Sequence, residues 1–519
     1  MIKNVASTCA FIKHPETTLL PTGINGIQQG WTVEDYIDYT SSYFTIESLE
    51  DGLTAQLSVN TCEYRIDDGS WTTLSAGSNT QSINTGQTLS FRGNLTPTLS
   101  NGIGTFIISK KCNLKGNIMS LLYGDDFIDK NDLTGKNYAF YNLLKKCTNI
   151  VDASKLILPA ETLANNCYNH MFFGCTSLIT SPELPAKTLS EGCYNGMFFG
   201  CTGLITAPEL PAETLADYCY YCMFFGCAGL TTTKELPATT LAKNCCSYMF
   251  SGCTSLTTAP KELPATTLSS ECYRNMFEGC TSLTEAPELP ATTLEGYCYS
   301  NMFSGCTSLT TAPELPATTL ASNCYGYMFS CCRSLTKAPA LQATTLAYGC
   351  YIGMFYGCTG LTTAPELPST TSTDLCYYRM FEGCTGLTTA PELKATTLAS
   401  SCYQRMFRCC TGLTTAPALP ATTLEFMCYG NMFEGCTSLT TAPELPSTTL
   451  ESYCYGDMFL YCSNLNYIKM LATDISAEDC LTNWVDGVAS TGTFVKNPEM
   501  TSLPTGVGGI PNGWIVKNS

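Results

Sequence analysis

Histidine is almost absent from this chain: His14 and His170 are the only two in 519 residues. Triad-type hydrolysis and histidine-bound metal centres draw on that side chain, so both have little to work with. His170 stands at a position that other copies of an internal repeat fill with Gly, Cys, Tyr, Asn or Arg, which marks a variable surface residue rather than a base. His14 lies beside Pro15, and neither histidine has a nucleophile in a triad-like setting. Charge is also sparse, at 13% of residues, and the formal net charge is −17. Nucleic acid and anionic membranes are bound through Lys/Arg clusters, so no nucleic-acid partner is expected. No stretch approaches the roughly 20 apolar residues of a membrane span. The opening from Met1 to His14 has no apolar run of signal-peptide length. Neither membrane insertion nor ordinary secretory export is therefore expected. Phosphate-binding loops and dinucleotide fingerprints are missing as well, and no cofactor or metal is expected.

What the chain has in abundance is repetition. Cysteine recurs at 167, 193, 219, 245, 272, 298, 324, 350, 376, 402, 428, 454 and 480, a 26-residue step with one 27-residue exception at inserted Lys261. A degraded first turn, Tyr141 to Cys147, precedes these copies. Periods of this length mark a solenoid. Within one unit Cys193, Met197 and Cys201 are spaced as one face of a short helix. Gly200 fits the left-handed residue that stops it. Leu204, Ala207 and Leu210 then suit a short extended stretch broken by Pro208 and Pro211. Such a unit cannot bury its apolar face alone, but stacked copies can. The expected fold is an α/β solenoid over residues 141–483, about 60 Å long on its strand side at the ~4.8 Å strand spacing.

The run Met302 to Pro316, Met-Phe-Ser-Gly-Cys-Thr-Ser-Leu-Thr-Thr-Ala-Pro-Glu-Leu-Pro, resembles the BspA-like (Treponema pallidum type) leucine-rich repeat. That family's pattern is roughly Ala-Phe-x-x-Cys-x-x-Leu-x-x-Ile-x-Leu-Pro. This unit is longer and carries Ala-Pro-Glu where the family has Ile and one residue, so a shorter or bulged strand is expected. The resemblance implies a bacterial or protist surface protein, often an adhesin, of a kind common in gut Bacteroidetes and their phages.

The two ends of the chain are similar. Ser7 to Glu16 matches Ser490 to Glu499, and Leu20 to Val33 matches Leu503 to Val516. Residues 484–519 are read as a cap in which Trp514 covers the open core, and residues 1–40 as a second copy of that module, either the remnant of a preceding module or an attachment point. Residues 41–110 carry short alternating segments and the turn Asp67-Asp68-Gly69-Ser70, which suggest a small all-β immunoglobulin-like sandwich. Residues 111–140 would bridge the sandwich to the array and cap it.

The 33 cysteines call for a disulfide or metal framework to be weighed. Buried thiols acting as small hydrophobes account best for a periodic ladder. A zinc ladder would need histidines and a repeated Cys-x-x-Cys spacing that the array does not supply. Cys222, Cys245-Cys246, Cys331-Cys332 and Cys409-Cys410 are extra, and some of these point outward by register. Asp125, Asp126, Asp129, Asn131 and Asp132 lack EF-hand spacing and read as a solvated loop.

Three columns could meet a partner. Glu183, Glu209, Glu235, Glu262, Glu288, Glu314, Glu366, Glu392 and Glu444 precede Leu-Pro or Leu-Lys, with Ala340 and Ala418 as breaks. They form either a duplicated solvated charge or an acidic stripe for a cationic partner. The threonine pairs Thr239-Thr240, Thr266-Thr267 and Thr292-Thr293 would face opposite sides of an extended segment. Variable positions beside the Met-Phe core make Tyr273, Arg274, Tyr378, Arg379, Gln404 and Arg405 the candidate contact residues, since Tyr and Arg on a rigid frame suit glycan or protein surfaces.

The expected function is non-enzymatic adhesion or receptor recognition on a phage or phage-like particle, binding a cell-surface glycan or protein through the solenoid. A bacterial cell-surface adhesin and a structural virion spacer are the alternatives. The expected location is extracellular or on a virion surface. Other virion or surface proteins would attach through the N-terminal region, and a homo-oligomer formed through the sandwich or an end module is compatible with this organisation.

Overall fold

The computed structural model describes residues 10–13, 32–35, 39–98 and 102–519. Ala10–Lys13 (β1) pairs in parallel with Thr32–Asp35 (β2). The remainder of the N-terminal module, with His14 and Trp31, lies outside the described residues.

Alternating burial along the next segments builds a β-domain. Its strands are Phe44–Ser48 (β3), Ala55–Leu57 (β4), Cys62–Ile66 (β5), Thr72–Leu74 (β6), Thr88–Arg92 (β7), Phe106–Ile108 (β8) and Cys112–Asn117 (β9). Phe44, Phe91 and Phe106 meet at its centre with ring centroids 5.0–6.0 Å apart. The turn at Asp67 to Ser70 joins β5 to β6 as the sequence suggests. The strands do not divide into two facing antiparallel sheets of similar size, however. One sheet runs β10-β9-β3-β7-β5-β6, where β10 is Ile150–Ile157, and the other is only the pair β4-β8. Nor is there a break at residue 110. β9 lies antiparallel to β3 and parallel to β10, so the first coil of the array extends the sheet.

Beyond β10 the expected helices are absent. The α-helix found among the described residues is the four-residue Ser120–Tyr123 (α1), followed by a 3-10 turn at Gly124–Phe127. The α/β expectation is therefore corrected to a solenoid of turns and bridges. The cause is a left-handed residue at every fourth position, such as Gly192 (φ 59°), Gly196 (φ 55°) and Gly200 (φ 68°). A right-handed helix cannot pass through such residues. In their place amides alternate. Asn195, Met197, Phe199 and Cys201 donate three residues back, at 3.0–3.1 Å, closing overlapping turns. Tyr194, Gly196, Phe198 and Gly200 donate to Cys219, Tyr221, Met223 and Phe225 of the next coil, at 2.7–3.0 Å. A repeat of four residues puts Cys193, Met197 and Cys201 on one side as a helix would, which is why the spacing misleads.

Stacking follows from that register. Phe172 through Phe459 form a column of near-parallel rings 5.4–5.8 Å apart. A tyrosine column runs beside it, for example Tyr299 to Tyr325 at 5.9 Å. The column cysteines, the Met of each unit and most of its leucines fill the remaining core. At the C-terminal end Trp484, fully buried, meets Phe459 at 6.1 Å and donates its Nε1–H to Gly509 O. Trp484 closes the phenylalanine column, while Trp514 lies further out and donates to Ala489 O.

One coil breaks the tyrosine column. Cys246 replaces the ring between Tyr220 and Tyr273, leaving a small cavity lined by Leu210, Leu215, Tyr220, Leu236, Cys246 and Tyr273. Cys246→Tyr is expected to fill it and restore two ring stacks, stabilising by about 1 kcal/mol. A raised denaturant midpoint would support this, and a lowered one would mean that the neighbours have already closed on the cysteine.

The opposite side of the coil is poorly bonded. Pro208 and Pro211 have no N–H to give, and most coils meet there only at single bridges such as Thr363↔Thr389↔Thr415. Threonine hydroxyls reinforce them, with Thr257 Oγ1 donating to Thr231 O at 3.2 Å. Regular strands return only at the end: Thr441–Leu445 (β11), Tyr467–Met470 (β12), Thr493–Lys496 (β13) and Ile515–Asn518 (β14), all parallel. Among the described residues no helix is long and apolar enough to cross a membrane.

Candidate functional site

The array offers two kinds of surface, a tightly bonded turn face and the proline face. On the turn face the structure separates the six contact candidates. Tyr273 belongs to the buried column and stacks on Tyr299 at 6.0 Å, so it is a core residue. Gln404 is buried too, with Nε2 3.8 Å from Met427 Sδ. Arg274 is half-buried, pairs with Glu271 at 2.8 Å and lies over the Tyr297 ring. Tyr378 is half-buried under the Arg379 guanidinium, 5.3 Å from its ring centre. Arg379 (φ 57°) and Arg405 (φ 58°) occupy left-handed positions. Their variability reflects a turn that needs φ above zero and tolerates many side chains at its rim.

An ion cluster on this face escaped the sequence reading. Arg408 Nε lies 2.7 Å from Glu434, its Nη1 lies 2.9 Å from Glu382, and Arg379 reaches Glu382 at 3.2 Å. The three residues Glu382, Arg408 and Glu434 share one column at 26-residue intervals, so alternating sign down a column was the signal. Hydrogen bonds donated to both carboxylates hold the Arg408 guanidinium charged well above its ordinary range. Burial alone would raise the Glu434 carboxyl, but Arg408 outweighs it and holds it below the usual value. His170 is a left-handed turn residue (φ 55°) beside Lys145, and burial lowers its imidazole to about 4. It stays neutral at physiological pH.

The described thiols are mostly buried within the core. All described cysteines are free, including Cys219 and Cys222, which stand at Cys-x-x-Cys spacing. Cys201, for instance, donates to Phe172 O at 3.1 Å, and burial pushes the Cys193 thiol up to about 12. Cys222, Cys331 and Cys409 are half-buried substitutes in left-handed positions (φ 52°, 59° and 59°). The acidic loop is likewise committed to local structure. Asp125 binds Arg92 at 2.7 Å and the Tyr43 hydroxyl at 2.8 Å, and Asp132 accepts the Thr134 N–H. No group of three His, Cys, Asp or Glu that could hold a metal converges among the described residues.

The proline face holds the acidic column, and all nine carboxylates are exposed. Some are partly neutralised: Glu209 by Lys234 at 3.1 Å and Glu444 by Lys469 at 3.0 Å, exposed pairs that add little stability. Grooves open between successive coils here. One of about 790 Å³ runs from Thr310 to Pro316 on one side and Thr336 to Gln342 on the other, where Ala340 interrupts the glutamates. Smaller ones, of about 380 and 360 Å³, lie at Pro287 to Pro316 and at Pro182 to Pro211. The threonine pairs differ from expectation: Thr239, Thr240, Thr266, Thr267, Thr292 and Thr293 are all exposed. The amides of Thr292 and Thr293 both donate to Thr266 O, so the chain bends at each pair and turns both side chains outward.

Stacked coils with a leucine-lined core and one bridged edge per unit define a leucine-rich-repeat solenoid. The family described as BspA type Leucine rich repeat region matches in six copies, over residues 217–362, 270–390 and 351–480. The matches together span just over half of the chain, which belongs to that family. No curated protein matches it. Family membership makes a surface recognition role the general expectation.

Proposed function

We propose that the chain is a non-enzymatic recognition protein, displayed on a phage or phage-like particle, that binds a cell-surface glycan or protein along the proline face of its array. The observation carrying this reading is the division of labour between faces. Coil-to-coil hydrogen bonding is concentrated on the turn face, while the proline face holds grooves lined by Pro287, Pro313 and Pro316 beside free carboxylates. Apolar proline rings, threonine hydroxyls and carboxylate acceptors together suit a sugar's C–H groups and hydroxyls.

The test is binding of the purified chain to whole bacterial cells and to a glycan array, beside a Glu288→Gln/Glu314→Gln/Glu366→Gln variant. These side chains are exposed, so the variant should melt like the native chain. Native binding weakened about tenfold or more in the variant, equivalent to ~1.4 kcal/mol, is the expected result. Undiminished binding would move the site off this face, and no binding by either protein would make the array a structural spacer. Immunogold labelling tests the carrier: label on phage particles supports the assignment, and label on bacterial envelopes makes the protein a cell-surface adhesin.

A further inference from the structure

We infer that the protein assembles head to tail with copies of itself, the N-terminal strand pair of one copy continuing the C-terminal sheet of the next. The C-terminal sheet ends on an open edge. β14 pairs with β13 on one side and, among the described residues, with no strand on the other. Ile515 and Ser519 give their N–H groups to Gly492 O and Lys496 O, both at 2.9 Å. By the two-residue alternation of a strand, the N–H groups of Val516 and Asn518 face away from β13. Exposed edges are normally blunted by charge, proline or a covering loop. Here Ile515 is 64% exposed and Val516 44%.

The N-terminal module supplies a matching strand. β1 and β2 pair in parallel as Ala10↔Thr32 through Lys13↔Asp35. β13 and β14 pair as Thr493↔Ile515 through Lys496↔Asn518. Both registers join residues 22 apart, and they align with the sequence duplication that makes 7–16 and 20–33 copies of 490–499 and 503–516. In the C-terminal copy the first strand has a second neighbour. β13 seats on β12, with Thr493 N–H donating to Asn466 O at 2.8 Å. The corresponding edge of β1 pairs with no strand among the described residues.

β1 therefore presents the edge by which its duplicate sits on a preceding parallel strand, and β14 is a parallel strand whose outer edge pairs with no strand among the described residues. A second copy of this chain is the occupant because the strand that fits is one of its own. Strand addition of this kind draws its affinity from main-chain hydrogen bonds. Two different surfaces meet at each joint, so the association is heterologous and grows as an open chain rather than closing as a dimer.

Sedimentation velocity over a concentration series tests this on the full chain, with two blocked variants. Val516→Pro removes an outward N–H and leaves the bonds to β13 intact, because proline is tolerated only on such an edge. Ile12→Pro does the same to the corresponding edge of β1, since Ile12 aligns with Val495, two residues after Thr493. The native chain is expected to pass beyond dimer as concentration rises, and each variant alone to remain monomeric. An equimolar mixture of the two has one free head and one free tail, so it is expected to form a dimer and nothing larger. A native chain that stays monomeric at every concentration, or a variant that associates as the native chain does, overturns the inference.

Discussion

Phe303→Ala is expected to destabilise the array by about 3–5 kcal/mol, the usual cost of emptying a fully buried aromatic site. Phe303 is completely buried and stacks on Phe277 and Phe329, both at 5.7 Å. Its loss empties the core of its own coil and removes a ring contact on each side. In a solenoid each unit is stabilised mainly by its neighbours, so the weakened coil should divide a single unfolding transition into two. Phe199→Ala makes the informative comparison. That ring also stacks, at 4.7 Å on both Phe173 and Phe225, but it is half-buried on the outer side of the turn face. It should cost clearly less. Denaturant unfolding followed by far-UV circular dichroism reads both, and equal losses would contradict the assigned roles of the inner and outer columns.

Arg408→Ala should be the most damaging change of a charged side chain, about 3 kcal/mol at neutral pH, because removing one partner strands a buried charge. Glu434 depends on this cation and Glu382 shares it with Arg379, and their side chains are only 12% and 6% exposed. The loss should depend on pH in a definite direction. In the native chain Glu434 titrates below its ordinary value, so its contribution is present above the unfolded carboxylate range and disappears as pH falls through the folded value. Without Arg408, only the Asn431 hydrogen bond and the charge of Arg405 are left to oppose burial, so the Glu434 carboxyl should rise from its depressed value. The deficit should therefore be largest near pH 7 and shrink toward pH 4 as Glu434 takes up a proton. An equal deficit at both values would mean that Arg408 works only through the packing of its stem.

The repeat and the identity of most core residues were legible in the sequence, since Cys, Met, Phe and Leu recur in strict columns. The helix was not. Cys193, Met197 and Cys201 obey a period of four as well as one of 3.6, and the discriminating residues are those at 192, 196 and 200. Where Gly or Asn fills that column the left-handed turn can be read; Leu375, Arg379 and Met427 hide it by adopting positive φ under the constraint of neighbouring coils. Tyr273 was misplaced for a related reason. Its neighbour Arg274 varies between copies, but the tyrosine itself recurs in nearly every unit, which is the mark of a core position. The acidic column was legible as exposed because a charge is cheap to keep only in water. The grooves beside it were not, because the largest depends on a missing side chain at Ala340 and on how two coils separate.

Hydrogen exchange resolved to single amides tests the central claim, that the turn face holds the coils together and leaves the proline face free. The N–H groups of Tyr299, Asn301, Phe303 and Gly305 donate to the next coil at 2.7–3.0 Å, whereas those of Glu314 and Leu315 have no backbone partner. Strong protection of the first four with rapid exchange at Glu314 and Leu315 is the predicted result. Protected proline-face amides beside a rapidly exchanging turn face would contradict the account.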